Sequence, residues 1–355
     1  MTDSGATATS EPDQISLSPL RHRDFVLLTG GQLLSSIGTQ MQVVAVAWQV
    51  YLLTNSKLAL GLIGLARGLP LVGASLFSGA LADAFDRRRT LLLTGTTLAG
   101  LSTALAVLTA THTVKIWAVY ALIGLGAAAQ ALDQPSRSAL VPNLVPRRAL
   151  PRALALLVAT REFATIIGPA LGGLVIAVAG VLPNYIIDVA SYGFVLAAVL
   201  AIKARPVRLG TSGANLAAVK EGWRFVLNNR IILSVQSLDF LANFFGASSI
   251  LFPVFARTVF HTGPAGLGLL YGAGSLGAVI GALLFGFFGR VKRQGLVILI
   301  SIAVYGTAIA AFGFAPWFLV GLAFLAISGA ADSVSASLRG TISQLVTPDS
   351  LRGRV

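Results

Sequence analysis

No cysteine occurs anywhere in the 355 residues, which excludes a disulfide framework and any thiolate metal site. Charge is scarce as well: Asp, Glu, Lys and Arg make up 11% of the chain, against about 25% in soluble domains. The three histidines, His22, His112 and His261, stand at loops or segment ends without metal-ligand spacing, so they are assigned no role. There is no G-x-x-x-x-G-K-[ST] phosphate loop, no H-E-x-x-H, no Ser/His/Asp set and no carboxylate pair at helical spacing. An ATP-driven pump and a membrane-embedded enzyme both fall away, and no cofactor or metal is expected. Acids are the scarcer charge, 13 against 26 Lys and Arg, for a net +13. A basic surplus can serve nucleic acid. Here the bases sit in short clusters between apolar runs of spanning length, which points to a lipid bilayer and excludes a nucleic-acid partner.

What the chain does have is apolar sequence, 55% of the whole. Runs of spanning length recur at 25–53, 58–82, 90–110, 114–136, 153–179, 181–202, 231–256, 264–289, 295–314 and 316–338, and each reads as a transmembrane helix. Arg21, Arg23, Arg87–Arg89, Arg147, Arg148, Arg152, Arg290, Lys292, Arg293, Arg352 and Arg354 fall on one side of these runs; Lys57, Lys115 and Arg257 fall on the other. The positive-inside rule then places both ends of the chain in the cytoplasm of a cell (inner) membrane protein. Residues 1–18 are polar and Ser/Thr-rich and read as a disordered cytoplasmic tail, not a signal peptide. Residues 19–202 make a six-helix N-terminal half and 231–355 a C-terminal half of four helices. Between them, 203–230 reads as a cytoplasmic linker whose Leu216, Val219, Trp223, Phe225 and Val226, beside Lys220 and Arg224, make an amphipathic interfacial helix.

Weak internal repetition links the halves, as in many transporters. Gly79-x-x-x-Asp83 with Arg87–Arg89 matches Gly286 to Arg293, and Leu144-Val145-Pro146 with Arg152 matches Leu345-Val346-Thr-Pro348 with Arg354. Two helices follow the second marker in the first half, so the symmetry predicts ten helices here and two more in a twelve-helix whole.

The stretch Gly79-Ala-Leu-Ala-Asp83-Ala-Phe-Asp86-Arg87-Arg88-Arg89 joins two apolar runs as a tight basic hairpin. It resembles the loop 2–3 signature of the major facilitator superfamily, G-x-L-A-D-R-x-G-R-R/K, with Ala84 and Asp86 in place of the usual base and glycine. Inside the fifth run, Ala164, Gly168 and Gly172 recur every four residues around Pro169. That spacing opens a close-packing face, and the proline invites a kink. Gly168-Pro169-Ala-Leu-Gly172-Gly173 also resembles the G-P-x-x-G-G signature of exporters in that superfamily. Ala66-Arg67-Gly-Leu-Pro70, Gly222-Trp-Arg-Phe-Val-Leu227 and Leu345-Val-Thr-Pro-Asp349-Ser-Leu-Arg-Gly-Arg354 are similar to the enterobactin-exporter-like, or transmembrane secretion effector, branch. One departure stands out: many members carry an acid in helix one after Ser-x-x-Gly, where this chain has Thr39. Gly272-Ala-Gly274-Ser-Leu-Gly277 matches G-x-G-x-x-G only formally, because no strand precedes it; helix packing explains its glycines.

Ionisable residues at membrane depth point to function, since each is expensive unless paired or hydrated. Arg67, Arg161, Glu162 and Asp239 lie deep in their runs, with Asp332 nearer an end. Asp133 and Arg137 have the spacing of an i,i+4 pair, and Asp188 reads as structural. The resemblance implies an all-α fold of two pseudo-symmetric helical halves in which helices 1, 4, 7 and 10 line a central cavity and 2, 5, 8 and 11 gate it. It also implies export of a siderophore-like or drug-like small molecule by a monomer through alternating access and proton antiport. The rival on the same fold is a proton-coupled uptake symporter. Substrate contact or proton coupling falls to Asp239, Glu162, Arg161, Arg67 and Asp332. The hairpin motif, with Asp83 and Arg87, is implied to brace the cytoplasmic gate.

Overall fold

The computed structural model describes residues 18–84, 86–202, 224–246, 248–287 and 293–347, and among them it contains helices and turns but no strand. The first six long helices are α1 (Arg23–Thr54), α2 (Lys57–Ala84), α3 (Arg87–Ala110), α4 (Ile116–Leu140), α5 (Leu150–Ala179) and α6 (Leu182–Ala201). The last four are α7 (Arg230–Gly246), α8 (Gly263–Phe287), α9 (Gln294–Gly313) and α10 (Phe318–Val346). Nine of the ten apolar runs largely overlap a single long helix, whereas the run over 231–256 is helical only as far as Gly246 and continues as short turns. The tail over 1–17, the linker over 203–223 and the stretch over 348–355 lie outside the described residues; of the amphipathic linker helix, 224–228 is helical.

Among the described residues, eight helices are long and apolar enough to cross a membrane. α1 and α7 fall short of that measure, for different reasons. α1 spaces Gln32, Ser35, Ser36, Thr39, Gln40 and Gln42 along its length, which suits a helix that faces a hydrated cavity better than one that faces lipid. α7 ends at Gly246; the chain then proceeds as a 3-10 turn (Ser248–Leu251), a short α-turn (Phe252–Val254) and a π-turn (Phe255–Val259). Pro253 in that stretch has no N–H to give to a helical ladder. The rings of Phe252, Phe255, Phe260, Phe312 and Phe318 meet around the break, with centroid distances of 4.6 to 6.1 Å. Such pairs contribute about 0.5–1.5 kcal/mol each beyond burial.

The helices close up where side chains are smallest. α5 lies between α1 and α8. A Cβ on Gly172 would stand 2.9 Å from the Met41 backbone of α1, and one on Gly173 would stand 2.8 Å from the Gly268 backbone of α8. The Gly-Pro-x-x-Gly-Gly run is therefore a two-sided contact strip that lets three backbones meet. A Cβ on Gly272, from the formal G-x-G-x-x-G, would stand 3.2 Å from the Ile166 carbonyl oxygen of α5. Gly277 meets the backbone of Ala326 on α10. Helix packing thus accounts for those glycines.

Two apolar cores mark the two ends of the bundle. At one end Val44, Val50, Leu60, Val119, Ile176 and Tyr185 from the first six helices share a core with Phe252, Leu267, Leu270, Phe312 and Leu325. At the end that carries the arginine-rich hairpin, the core of Phe25, Leu28, Leu91, Leu140, Val145, Ala153 and Val199 draws, among the described residues, on the first six helices and their turns.

Candidate functional site

The first six helices enclose a cavity that begins near the shared core and widens toward the hairpin end. Its inner part has about 950 Å³, including open space, is lined by Gln42, Val46, Ile63, Arg67, Ser102 and Leu122, and is capped by Ser249, Ile250 and Tyr271 from beyond α6. Its outer part has about 1240 Å³, including open space, and is lined by Gln32, Ser35, Gln130, Arg137 and Arg161, all from α1 to α6. Thr39, Arg67, Leu98, Gln130 and Tyr192 line both parts, so the two are continuous.

Arginines set the charge of this space. Arg67 stands half-buried where the two parts meet, and Arg161 stands exposed at the wide end. No carboxylate pairs with either among the described residues. Arg137 forms the i,i+4 pair with Asp133 that its spacing predicts, and both side chains are buried. Thr94 on α3 donates to the same carboxylate at 2.7 Å. The Nη1 of Arg137 is buried without a partner, as is the Oε1 of Gln32, and both residues line the outer part. An unmet donor on a cavity wall is a place for a ligand acceptor, because leaving it bare is costly.

The other expected site residues lie apart. Glu162 is exposed on α5 and outside the cavity lining. Asp239 on α7 and Asp332 on α10 are brought together by Arg339, whose Nη2 lies 2.5 Å from Asp239 Oδ1 and 3.6 Å from Asp332 Oδ1. Gly79 and Asp83 end α2 with their side-chain surroundings outside the described residues. The rest of the hairpin motif is bound inside the first six helices. Asp86 caps α3 by accepting from the Arg88 and Arg89 N–H groups. Arg87 donates to the Ala139 carbonyl at the end of α4 at 2.6 Å, and Arg88 to the Leu200 carbonyl at the end of α6 at 2.8 Å. Cations suit those carbonyls, which carry the negative ends of the helix dipoles.

A polar chain that sequence reading left aside runs beside the cavity. Thr39 Oγ1 donates to Asp188 Oδ1 at 3.3 Å and lies 3.0 Å from the Tyr192 hydroxyl. Ser102 Oγ donates to Asp188 Oδ2 at 2.6 Å and accepts from Gln42 Nε2 at 2.9 Å. Gly38 makes this possible: a Cβ there would stand 3.1 Å from the Asp188 backbone, so α1 and α6 touch where Thr39 needs to reach. Nearer the shared core, Tyr185 donates to Gln49 at 2.6 Å and Gln49 to Thr109 at 3.0 Å.

Known proteins resemble both the sequence and this arrangement. The family model described as transmembrane secretion effector matches residues 14–355. Enterobactin exporter EntS of Citrobacter koseri is 30% identical over 343 residues, 96% of this chain and 82% of that protein. Enterobactin exporter EntS of Shigella boydii serotype 18 is 31% identical over 344 residues, with the same shares covered. Among solved structures, a bacterial homologue of the human lysosomal transporter Spinster in an inward-facing, unoccupied conformation has a TM-score of 0.73 at 16% identity, covering 93% of this chain and 76% of its own. The nucleoside transporter NupG (a D323A mutant) has a TM-score of 0.71 at 13% identity, covering 93% of this chain and 85% of its own.

Proposed function

Since the chain belongs to the transmembrane secretion effector family of the major facilitator superfamily, we propose that it exports a small, acceptor-rich or anionic organic molecule by alternating access driven by proton antiport. The observation that carries this reading is the cavity itself: closed by a core shared among the first six and last four helices at one end, open at the other, and lined by Arg67 and Arg161 without carboxylate partners among the described residues. Arg67 holds the ligand at depth and Arg161 receives it at the mouth. The relatives named enterobactin exporters make a siderophore-like molecule the first candidate. The hairpin end is the cytoplasmic end on this reading, by the arginine bias, and the cavity is poised to load from inside. The two bodies that rock are the α1–α6 half and the half begun by α7, related by pseudo-symmetry, ten helices of this chain spanning the membrane. Asp239 and Asp332 around Arg339 form a second charge cluster between α7 and α10 that separates or re-pairs during the exchange. In everted vesicles, enterobactin and a panel of drug-like anions and cations should accumulate when a proton gradient is imposed and leak when it is collapsed. Accumulation in right-side-out vesicles alone would instead make the protein an uptake symporter.

A further inference from the structure

Away from the helix ends, the carboxylates of the described helices fall into two groups by what faces them. Asp133, Asp239 and Asp332 each meet an arginine, and Glu162 is exposed. Asp188 belongs to neither group. It has no solvent-exposed surface, and the groups that act on it are the Ser102 and Thr39 hydroxyls, with no cation among them. Resting on the antiport reading above, we propose that Asp188 is the proton-carrying carboxyl group of this transporter and exchanges its proton with cavity water through Thr39 and Ser102.

The geometry suits a group that must be satisfied in two states. A hydroxyl both donates and accepts. Thr39 and Ser102 can therefore donate to a carboxylate, or one of them can turn and accept from the carboxylic acid. An arginine could serve only the first state. Both hydroxyls line the inner cavity while Asp188 stands behind them, so the proton has a one-hydroxyl path to water and no path to lipid. Gln42 fixes Ser102 from α1, and Tyr192, one turn along α6, continues the chain from Thr39.

The charged and titratable groups around it are few. α6 itself offers Tyr185 and Tyr192; Asp133 and Arg137 of α4 lie beyond Tyr192; Arg67 of α2 stands across the cavity. α1 and α3 bring hydroxyls and amides, and α5 brings the Gly172 carbonyl to Asn184. The proton passes from cavity water to a carboxylate oxygen when the site faces outward, and returns to cavity water when it faces inward. No other bond changes. A proton held better by one conformation than the other biases the exchange between them. In an antiporter the protonated form turns inward.

The absence of cysteine gives a direct test. Ala47 is buried at the closed end and lines the inner cavity, so an Ala47→Cys reporter reacts with an impermeant thiol reagent added outside only when that end opens. With Asp188 intact, acidifying the medium should lower labelling several-fold. With Asp188→Asn, labelling should stay at the low, acid level whatever the pH. Dependence that survives Asp188→Asn overturns the assignment and leaves antiport standing. Labelling that ignores pH with Asp188 in place overturns both. Should Asp188→Asn not fold, Asp188→Glu decides: a carboxylic C=O band in the acid-minus-alkaline infrared difference spectrum must move with that change, and an unmoved band overturns the proposal.

Discussion

The two ends of the bundle are built on opposite plans. At the closed end, side chains from both groups of helices enter one core, aromatic rings interlock around the broken segment after α7, and Arg257 reaches back to α1. At the hairpin end, among the described residues, the apolar core and the arginine bonds stay within the first six helices. A contact shared between two bodies must be undone when they move, whereas a contact inside one body travels with it. On the alternating-access proposal, the closed end is therefore where the exchange meets its resistance, and the hairpin end is where rigidity within a body is kept.

The contrast breaks most completely at the α5–α8 seam. Gly173→Leu places a branched side chain against the Pro264 carbonyl and the Gly268 backbone, and a packed backbone cannot yield to it. Transport should fall to the level of empty vesicles, and the Ala47→Cys reporter should label freely from outside. Wild-type transport in this variant would show that the seam is not the closing contact.

A smaller effect sharpens the comparison between depth and mouth. Arg67→Ala removes a charged donor from the enclosed part of the cavity, where such a bond contributes about 1.5–3 kcal/mol, so the affinity for an anionic ligand should fall about 10- to 150-fold. Arg161→Ala, at the exposed end, should weaken binding by less than about sixfold, as exposed ion pairs contribute about 0–1 kcal/mol. Equal losses at the two positions, measured by equilibrium binding, would mean that the ligand sits at the mouth.

The smallest effect is expected at the latch. Arg257 donates to the Asn55 side chain at 2.8 Å and lies 5.5 Å from the Tyr51 ring centroid. An exposed cation–π contact contributes about 0.5–1 kcal/mol. Arg257→Ala should therefore raise outside labelling of the Ala47→Cys reporter only a few-fold and leave the melting temperature nearly unchanged.

Helix positions were legible because a bilayer demands length and apolarity, and eight of the helices show both. The interruption after α7 was less so: an apolar run does not say whether its backbone is one α-helix or a series of turns, although Pro253 hints at it. In the cavity, Arg67 and Arg161 could be singled out because charge at depth is rare, and Asp133 with Arg137 because four residues make one turn. Asp188 could not be read in the same way. Its partners Thr39 and Ser102 lie 149 and 86 residues away along the chain, and no periodicity within α6 reports what a distant helix brings to it. Glu162 shows the converse. Beside Arg161 in sequence, it points elsewhere, since neighbours on a helix diverge by about 100°.

The hairpin between α2 and α3 has a mechanical consequence. Asp86 fixes the start of α3, while Arg87 and Arg88 grip the final turns of α4 and α6. Three helix ends are riveted at one joint, so a push on any of them displaces all three together. On the proposed alternating access, the basic loop would act as a stiffener: a disturbance in the cavity would tilt the whole six-helix block as a lever instead of being absorbed as slack in a single helix.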